Sequence, residues 1–387
     1  MTPEDGAVAY VQIELHRQGR NFRCPCGYET DYYYDMTVRE IRDVPWGPWR
    51  EVWLLVPRYR VECPDCGVRT EPLEWLVPDC TYTKRLAELV ALTCREVRSI
   101  AAIARWFRLS WDMVKGIDKR DLKQRLDPPD FSGVRRLGLD EFALRKGHRY
   151  ATAFVDLDSG RPLWVCKGRD GDAVRAVCRD VFGETVCAGI EAVSMDMWEP
   201  YEQAVSEFMP QAKIVWDKFH IIKNYNRDVL GRVRIDEAKK CQSKEEREKW
   251  KGSRWLVLKN QQNLREDEPA RLKELLSANK PLATAHVLGD VLKQCWDFTN
   301  QAEAKKWFNG WYRDAVKSGV KPLARFARKL KRRLPGILAH CRHRVNNGLL
   351  EGLNNWIKVI KRVAYGYRDF DYFFLKIRGL WEHRDGP

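Results

Sequence analysis

Four cysteines and a set of carboxylates are the residues of this 387-residue chain whose types and spacing could do chemistry. Cys24 and Cys26 stand in FRCPCGYET, Cys63 and Cys66 in VECPDCGVRTEP, and a glycine follows each pair. A Cys-Pro-x-Cys-Gly turn is a tight knuckle that aims two thiolates at one ion. Two knuckles make the closed, all-sulfur, tetrahedral site of a structural zinc ribbon. The first pair is one residue short of that spacing, which leaves Cys80 and His16 as replacement ligands. The carboxylates are Asp140, Asp196, Asp217 and Glu351, with His220 three residues beyond Asp217. Asp140, Asp196 and Asp217 each end an apolar run, where ionised groups are costly unless something positive meets them. Two carboxylates held side by side can share Mg²⁺. Ions about 3.5–4 Å apart activate a water or a 3′-hydroxyl and steady the leaving oxygen at a phosphodiester. Glu141, adjacent to Asp140, is expected on the other face of its strand in a structural role.

The elements that must position these groups follow from periodicity and punctuation. WGPWREVWLLVPRYRVEC, between the two knuckles, reads as strands. TYTKRLAELVALTCREV then puts Leu86, Leu89, Val90 and Val97 on one helical face. SIAAIARWF is a short second helix and RLS a tight turn. WDMVKGIDKRDLKQRL is a third helix, N-capped by Ser110, with Trp111, Val114 and Ile117 facing inward. This is the order of a helix-turn-helix, whose last helix can enter the major groove. Lys115, Lys119, Arg120 and Lys123 are placed where phosphates could be met. LDPPDFSG (126–133) breaks the helix as a linker.

Beyond the linker, VRRLGLDEF, HRYATAFVDLD and RPLWVCKGR read as three strands joined by tight turns. Helix DGDAVRAVCRDVFG, strand GIEAVSMD, helix EPYEQAVSEFM and strand AKIVWD follow. Three strands, then alternating helix and strand, is the order of a ribonuclease-H-like fold, in which the first and fourth strands are neighbours. Asp140 and Asp196 are then expected within a few ångströms of each other, with Asp217 one strand further out. A long polar, helical stretch carrying Trp250, Trp255, Trp296, Trp307 and Trp311 separates the last strand from Glu351. Within it, KPLARFARKLKRRLPG (321–336) holds seven basic residues and no acid. Its Arg328, Lys329, Arg332 and Arg333 could track a DNA backbone. On the helix after Glu351, Asn355, Lys358 and Arg362 recur on nearly the same face.

Sixty-nine Lys and Arg against 54 Asp and Glu give a formal charge of +15, which points to a polyanion, nucleic acid before membrane. No stretch approaches the ~20 apolar residues of a membrane span, and MTPEDGAVAY lacks a signal-peptide core. An intracellular protein with reduced cysteines is the expectation for the 12 Cys present.

The chain resembles the DDE transposases of bacterial insertion sequences of the ISL3 type. The likeness runs through the cysteine ribbon, the helix-turn-helix, GLDEFALRKGHRYATAFVDLDSGR, SMDMWEPYEQAVSEFMPQAKIVWDKFHIIKNYN and LEGLNNWIKVIKRVAYGYRDF. It implies a catalytic triad of Asp140, Asp196 and Glu351, with Asp217 and His220 as a supporting Asp-x-x-His element. It also implies terminal inverted repeats and target DNA as partners, and Mg²⁺ as cofactor with Mn²⁺ able to substitute. At least a homodimer and a bacterial, nucleoid-associated location are expected. The resulting organisation is multidomain α+β. It comprises a zinc ribbon (1–78), a helix-turn-helix (79–130), a ribonuclease-H-like α/β catalytic core (131–226), an all-helical insertion (227–340) and a C-terminal helical part of the core (341–387). The rival reading is a domesticated DNA-binding regulator whose acids are idle.

Overall fold

The computed structural model describes residues 10–379 apart from 98, 146, 148, 244–249, 251, 252, 260–262, 345, 346 and 365, and the side chains of 254, 255 and 347 also lie outside it. The chain divides into two units, Met1–Pro128 with Ile357–Gly379, and Pro129–Trp356 with Leu380–Pro387.

The first unit begins with strands β1 (Tyr10–Glu14), β2 (Phe22–Arg23), β3 (Glu29–Thr30), β4 (Asp35–Asp43), β5 (Glu51–Cys63) and β6 (Gly67–Thr70). β5 lies between β1 and β4 and also pairs β6, while β2 and β3 form a separate hairpin. Alternation along β5 turns Val52, Leu54 and Val56 into a small core with Ile41 and Leu76. Gly27 and Gly67 close the two knuckles at φ +97° and +69°, a region costly for any side chain. Helices α1 (Lys84–Glu96), α2 (Ile100–Phe107) and α3 (Trp111–Leu126) follow, capped by Thr83, Ser99 and Ser110. The buried Arg42 guanidinium joins sheet to helices, donating to the carbonyls of Val52 (3.2 Å) and Phe107 (3.0 Å). Val90, Ile103, Val114 and Ile117 form the helical core. Two residues expected in it are exposed instead, Leu89 and Trp111. Trp111 is the first residue of α3, where no following turn covers it, and Lys115 Nζ stands 5.5 Å over its ring.

By compactness, residues 357–379 group with this unit. The reason is the C-terminal helix Phe370–Arg378. Its Tyr372 and Leu375 pack on Leu122 of α3. The buried Asp118 carboxylate accepts from Tyr372 Oη and from Lys376 Nζ (2.9 Å).

The second unit is built on strands β7 (Arg136–Arg145), β8 (Arg149–Asp156), β9 (Pro162–Lys167), β10 (Ala192–Met195) and β11 (Lys213–Trp216), in the order β11-β10-β7-β8-β9. β11, β10 and β7 are parallel, and β8 and β9 continue antiparallel. Helices α4 (Gly171–Val177), α5 (Gly183–Gly189), α6 (Glu199–Phe208) and α7 (Lys218–Tyr225) connect or follow these strands. β10 is buried along its whole length, as a strand with parallel neighbours on both sides should be. Helices including Glu268–Ala278, Lys280–Lys293, Gln301–Lys317 and Lys321–Arg332 follow. Their tryptophans are core residues. Trp311 is buried, and Trp250, Trp296 and Trp307 pack against the same core. Trp255 has its side chain outside the described residues. No helix among the described residues is long and apolar enough to cross a membrane.

Candidate active site

β7 pairs with β10 only from Arg136 to Gly138, then runs on to Arg145 beside β8 alone. Asp140 therefore does not end its strand, as expected from sequence. It sits just past the point where the parallel partner stops and the sheet opens. Asp196 follows the end of β10 at that opening. Asp217 follows β11 and caps α7, accepting from the Phe219 amide at 2.7 Å. His220, in the first turn of α7, points back among them. Its Nδ1 lies 3.2 Å from Asp196 Oδ2, and its Nε2 lies 3.8 Å from both Asp140 Oδ1 and Asp217 Oδ2. Asp140 and Asp217 thus face the same ring nitrogen of His220.

Burial sets the electrostatics, and the imidazole answers it. Burial pushes Asp140 up to about 6, against the opposing pull of His220, the Glu141 amide and Asn354. Asp217 is also raised, again chiefly by burial. Burial works upward on Asp196 too, but the His220 hydrogen bond and charge, the Met197 amide and Lys329 outweigh it and hold it below the usual carboxylate range. Burial disfavours the imidazolium of His220, yet the three carboxylates prevail and raise its pKa. The arrangement gathers three carboxylates around one imidazole.

The helix Asn347–Val363 carries Glu351 and, one turn on, Asn354. Gly138 makes the approach of this helix possible: a Cβ there would stand 3.1 Å from Leu350 Cδ2 and 2.7 Å from Leu157 Cδ2. Asn354 Nδ2 donates to Asp140 Oδ2 at 2.5 Å. Glu351 is exposed, one turn before Asn354 and on the same side of the helix. Asn354 was not anticipated; its neighbour Asn355 was. The i, i+3 spacing from Glu351 carried the signal. Glu141 was also misplaced, since it lines the same cavity as Asp140 and Asp196, with its carboxylate 4.0 Å from Arg169. Where β7 has lost its neighbour, the side chain is free to turn to the opening.

The cysteines come together as expected, short knuckle included. Donor atoms of Cys24, Cys26, Cys63 and Cys66 all lie within 4.8 Å of one another, the only such group of three or more among the described residues. Sulfurs at about 2.3 Å from a tetrahedral ion stand about 3.8 Å apart, and Cys26 Sγ to Cys63 Sγ is 3.6 Å. The Tyr28 amide and the neighbouring thiols bring Cys26 down to about 7. His16 is no part of the group, and Cys80 instead accepts from Arg120.

Several of the basic residues are engaged within the chain, and others are exposed. Lys115 and Lys119 both pair with Asp369, at 3.0 and 2.9 Å. Arg120 donates to Cys80 Sγ and Tyr82 Oη. Arg333 stands 3.6 Å from Glu202 and over the Trp216 ring. Lys123, Arg328, Arg332, Lys358 and Arg362 are exposed. Lys329 is half-buried, and its charge bears on Asp196.

Comparison with known proteins places the chain in a family. Residues 137–377 match the profile of the ISL3-type DDE transposases, described as a transposase, and residues 71–122 match the helix-turn-helix domain of transposase family ISL3. The transposase for insertion sequence element IS1001 of Bordetella parapertussis is 45% identical over 386 residues, 98% of this chain and 93% of that protein. The transposase for insertion sequence element IS1557 of Mycobacterium tuberculosis is 28% identical over 397 residues, covering 94% and 86%. A helix-turn-helix followed by a DDE domain, matched along almost the whole chain, is the make-up of a DNA-cleaving enzyme and not of a regulator. The chain belongs to the ISL3 family of insertion-sequence transposases.

Proposed function

We propose that this transposase binds the terminal inverted repeats of its own insertion sequence, cuts a phosphodiester at each end and joins the freed 3′-hydroxyl to target DNA. Asp140, Asp196 and Glu351 are the catalytic carboxylates, on a core of ribonuclease-H-like design. The observation that carries this is the convergence of three aspartates on one imidazole where the sheet opens, with Glu351 one turn from the asparagine that holds Asp140. Oxygen donors that burial leaves short of positive charge suit a hard divalent cation, Mg²⁺ with Mn²⁺ as substitute. Such ions would supply the charge that activates water or a 3′-hydroxyl and balances the leaving oxygen. The protein's own part is positional. Asn354 fixes the Asp140 carboxylate, His220 holds Asp196 ionised, and Asp217 supports His220 from the helix cap.

Zinc in the four-cysteine cluster ties the β2–β3 hairpin to the β5–β6 turn. Two ends per reaction imply at least a homodimer. For DNA, the exposed side chains of Lys123, Arg328, Arg332, Lys358 and Arg362 are the ones placed to meet phosphates, with Lys329 closer to the acids. Lys115, Lys119, Arg120 and Arg333 contribute less, being already engaged within the chain.

Purified protein, a duplex of the element's end and Mg²⁺ should yield nicks at the element boundary. Asp140→Asn and Glu351→Gln should bind the duplex normally and lose cleavage by several orders of magnitude. A variant that still nicks removes that residue from the mechanism. The full chain should carry about one zinc, reduced in Cys24→Ser, by metal analysis after gel filtration.

A further inference from the structure

Beside the acids lies a cavity of 140 Å³, one wall of which is Trp198 at the N-terminus of α6. The residue is 45% exposed, so part of its ring surface is open to a ligand. It is also anchored: Nε1 donates to the Arg169 carbonyl at 3.2 Å, which fixes the plane of the ring. Across from it the Arg169 guanidinium is held 4.2 Å over the Tyr150 ring and 4.0 Å from Glu141 Oε1. Asp140 and Asp196 form the floor. A second exposed aromatic, Phe219 at 51%, flanks the same acids beside His220. Lys223, Arg227 and Lys329 add positive charge close enough to act on Glu141 and Asp196. Fixed aromatic faces interleaved with basic side chains are how proteins grip unpaired nucleotides, by stacking on the base and meeting the backbone.

We propose that this cavity receives the nucleobase adjoining the scissile phosphate, turned out of the duplex and stacked on Trp198, with Arg169 against the backbone. The inference rests on the reading of Asp140, Asp196 and Glu351 as the cleavage site, and it gives that site a means of opening the duplex where the cut is made. Extrusion unstacks one base, which costs a few kcal/mol in a paired duplex. The indole returns part of that cost, since a stacked base is worth about 1–3 kcal/mol.

The test pairs protein and DNA changes. Full-length protein is given an end duplex that is intact, or that lacks only the base adjoining the cut. Trp198→Ala should slow single-turnover cleavage of the intact duplex by about tenfold to a hundredfold, and Trp198→Phe should restore most of it. On the duplex lacking the base, wild type and Trp198→Ala should cleave at equal rates, because neither the unstacking cost nor the stacking contact remains. A Trp198→Ala defect that persists on that duplex, or an unimpaired Trp198→Ala on the intact one, overturns the proposal. A second readout needs no cleavage. With 2-aminopurine at that position, Asp140→Asn protein should change the fluorescence, and the Asp140→Asn/Trp198→Ala double variant should not give the same change. Equal signals with equal end binding overturn the stacking role while leaving the acid site standing. If Asp140→Asn itself cleaves, the acid site is what fails.

Discussion

At the scale of single residues, the open question is which aspartate joins Asp140 in holding metal. Asp196 is 35% exposed, whereas Asp217 is 7% exposed and already engaged as the cap of the following helix. On access alone we propose Asp196 as the ligand and Asp217 as its support. Thiolates favour softer ions than Mg²⁺. Asp196→Cys should therefore be inactive in Mg²⁺ and recover part of its cleavage rate in Mn²⁺, while Asp217→Cys is impaired equally in both. Rescue at 217 alone reverses the assignment. Asp140, Asp196, Asp217 and His220 were all legible, because acids that end apolar runs are conspicuous. Asn354 and Glu141 were not. A helix puts both Asn354 and Asn355 near the face of Glu351, and only packing on Gly138 decides between them. Strict strand alternation sends Glu141 away from Asp140, and only the loss of a neighbouring strand relaxes that rule.

At the scale of elements, Asp369 joins α3 to the C-terminal helix. It caps that helix through the Tyr372 amide and accepts from Lys115 and Lys119. Burial works upward on its carboxyl, but the two ammonium groups and the amide prevail and hold it well below the usual range. A depressed folded pKa stabilises above the unfolded value of about 4, and that contribution is lost as pH falls through the folded value. Asp369→Asn keeps the cap and loses the charge. It should cost about 0.5–1 kcal/mol at pH 7 in urea unfolding, and the gap from wild type should narrow at pH 3.5. An unchanged gap means that the two ion pairs add nothing. The three helices, the Ser110 cap of α3 and the pairing of β7 with β10 could be anticipated from periodicity, turn residues and element order. The exposure of Trp111 could not, since helical phase alone does not say where a core stops.

At the scale of the whole molecule, the excess of positive charge is concentrated usefully in the helix Lys321–Arg332. It buries Leu323, Phe326, Ala327 and Leu330 and leaves Arg328 and Arg332 outward. Arg328→Gln with Arg332→Gln should weaken end and random DNA alike and lower the slope of log affinity against log salt by about 2, by filter binding. Loss of discrimination between the two DNAs would instead place these arginines at base edges. The amphipathic run made this helix legible. The discontinuous first unit left no such trace, because the residues that join its parts, Asp118 with Tyr372 and Lys376, lie more than 250 positions apart.

That discontinuity has a consequence in time. Ribosomes add about 5–20 residues per second, so the segment from Pro128 to Ile357 takes about 10–50 s to emerge. Until then Asp118 lacks its partners and Leu122 its apolar cover, a state costly for a buried charge. The unit that carries the helix-turn-helix can therefore be completed only after Asp140, Asp196 and Glu351, the proposed catalytic carboxylates, have been translated. A polypeptide cut short by a nonsense codon or frameshift before residue 357 would not mature into a competitor that occupies transposon ends without the power to cut them.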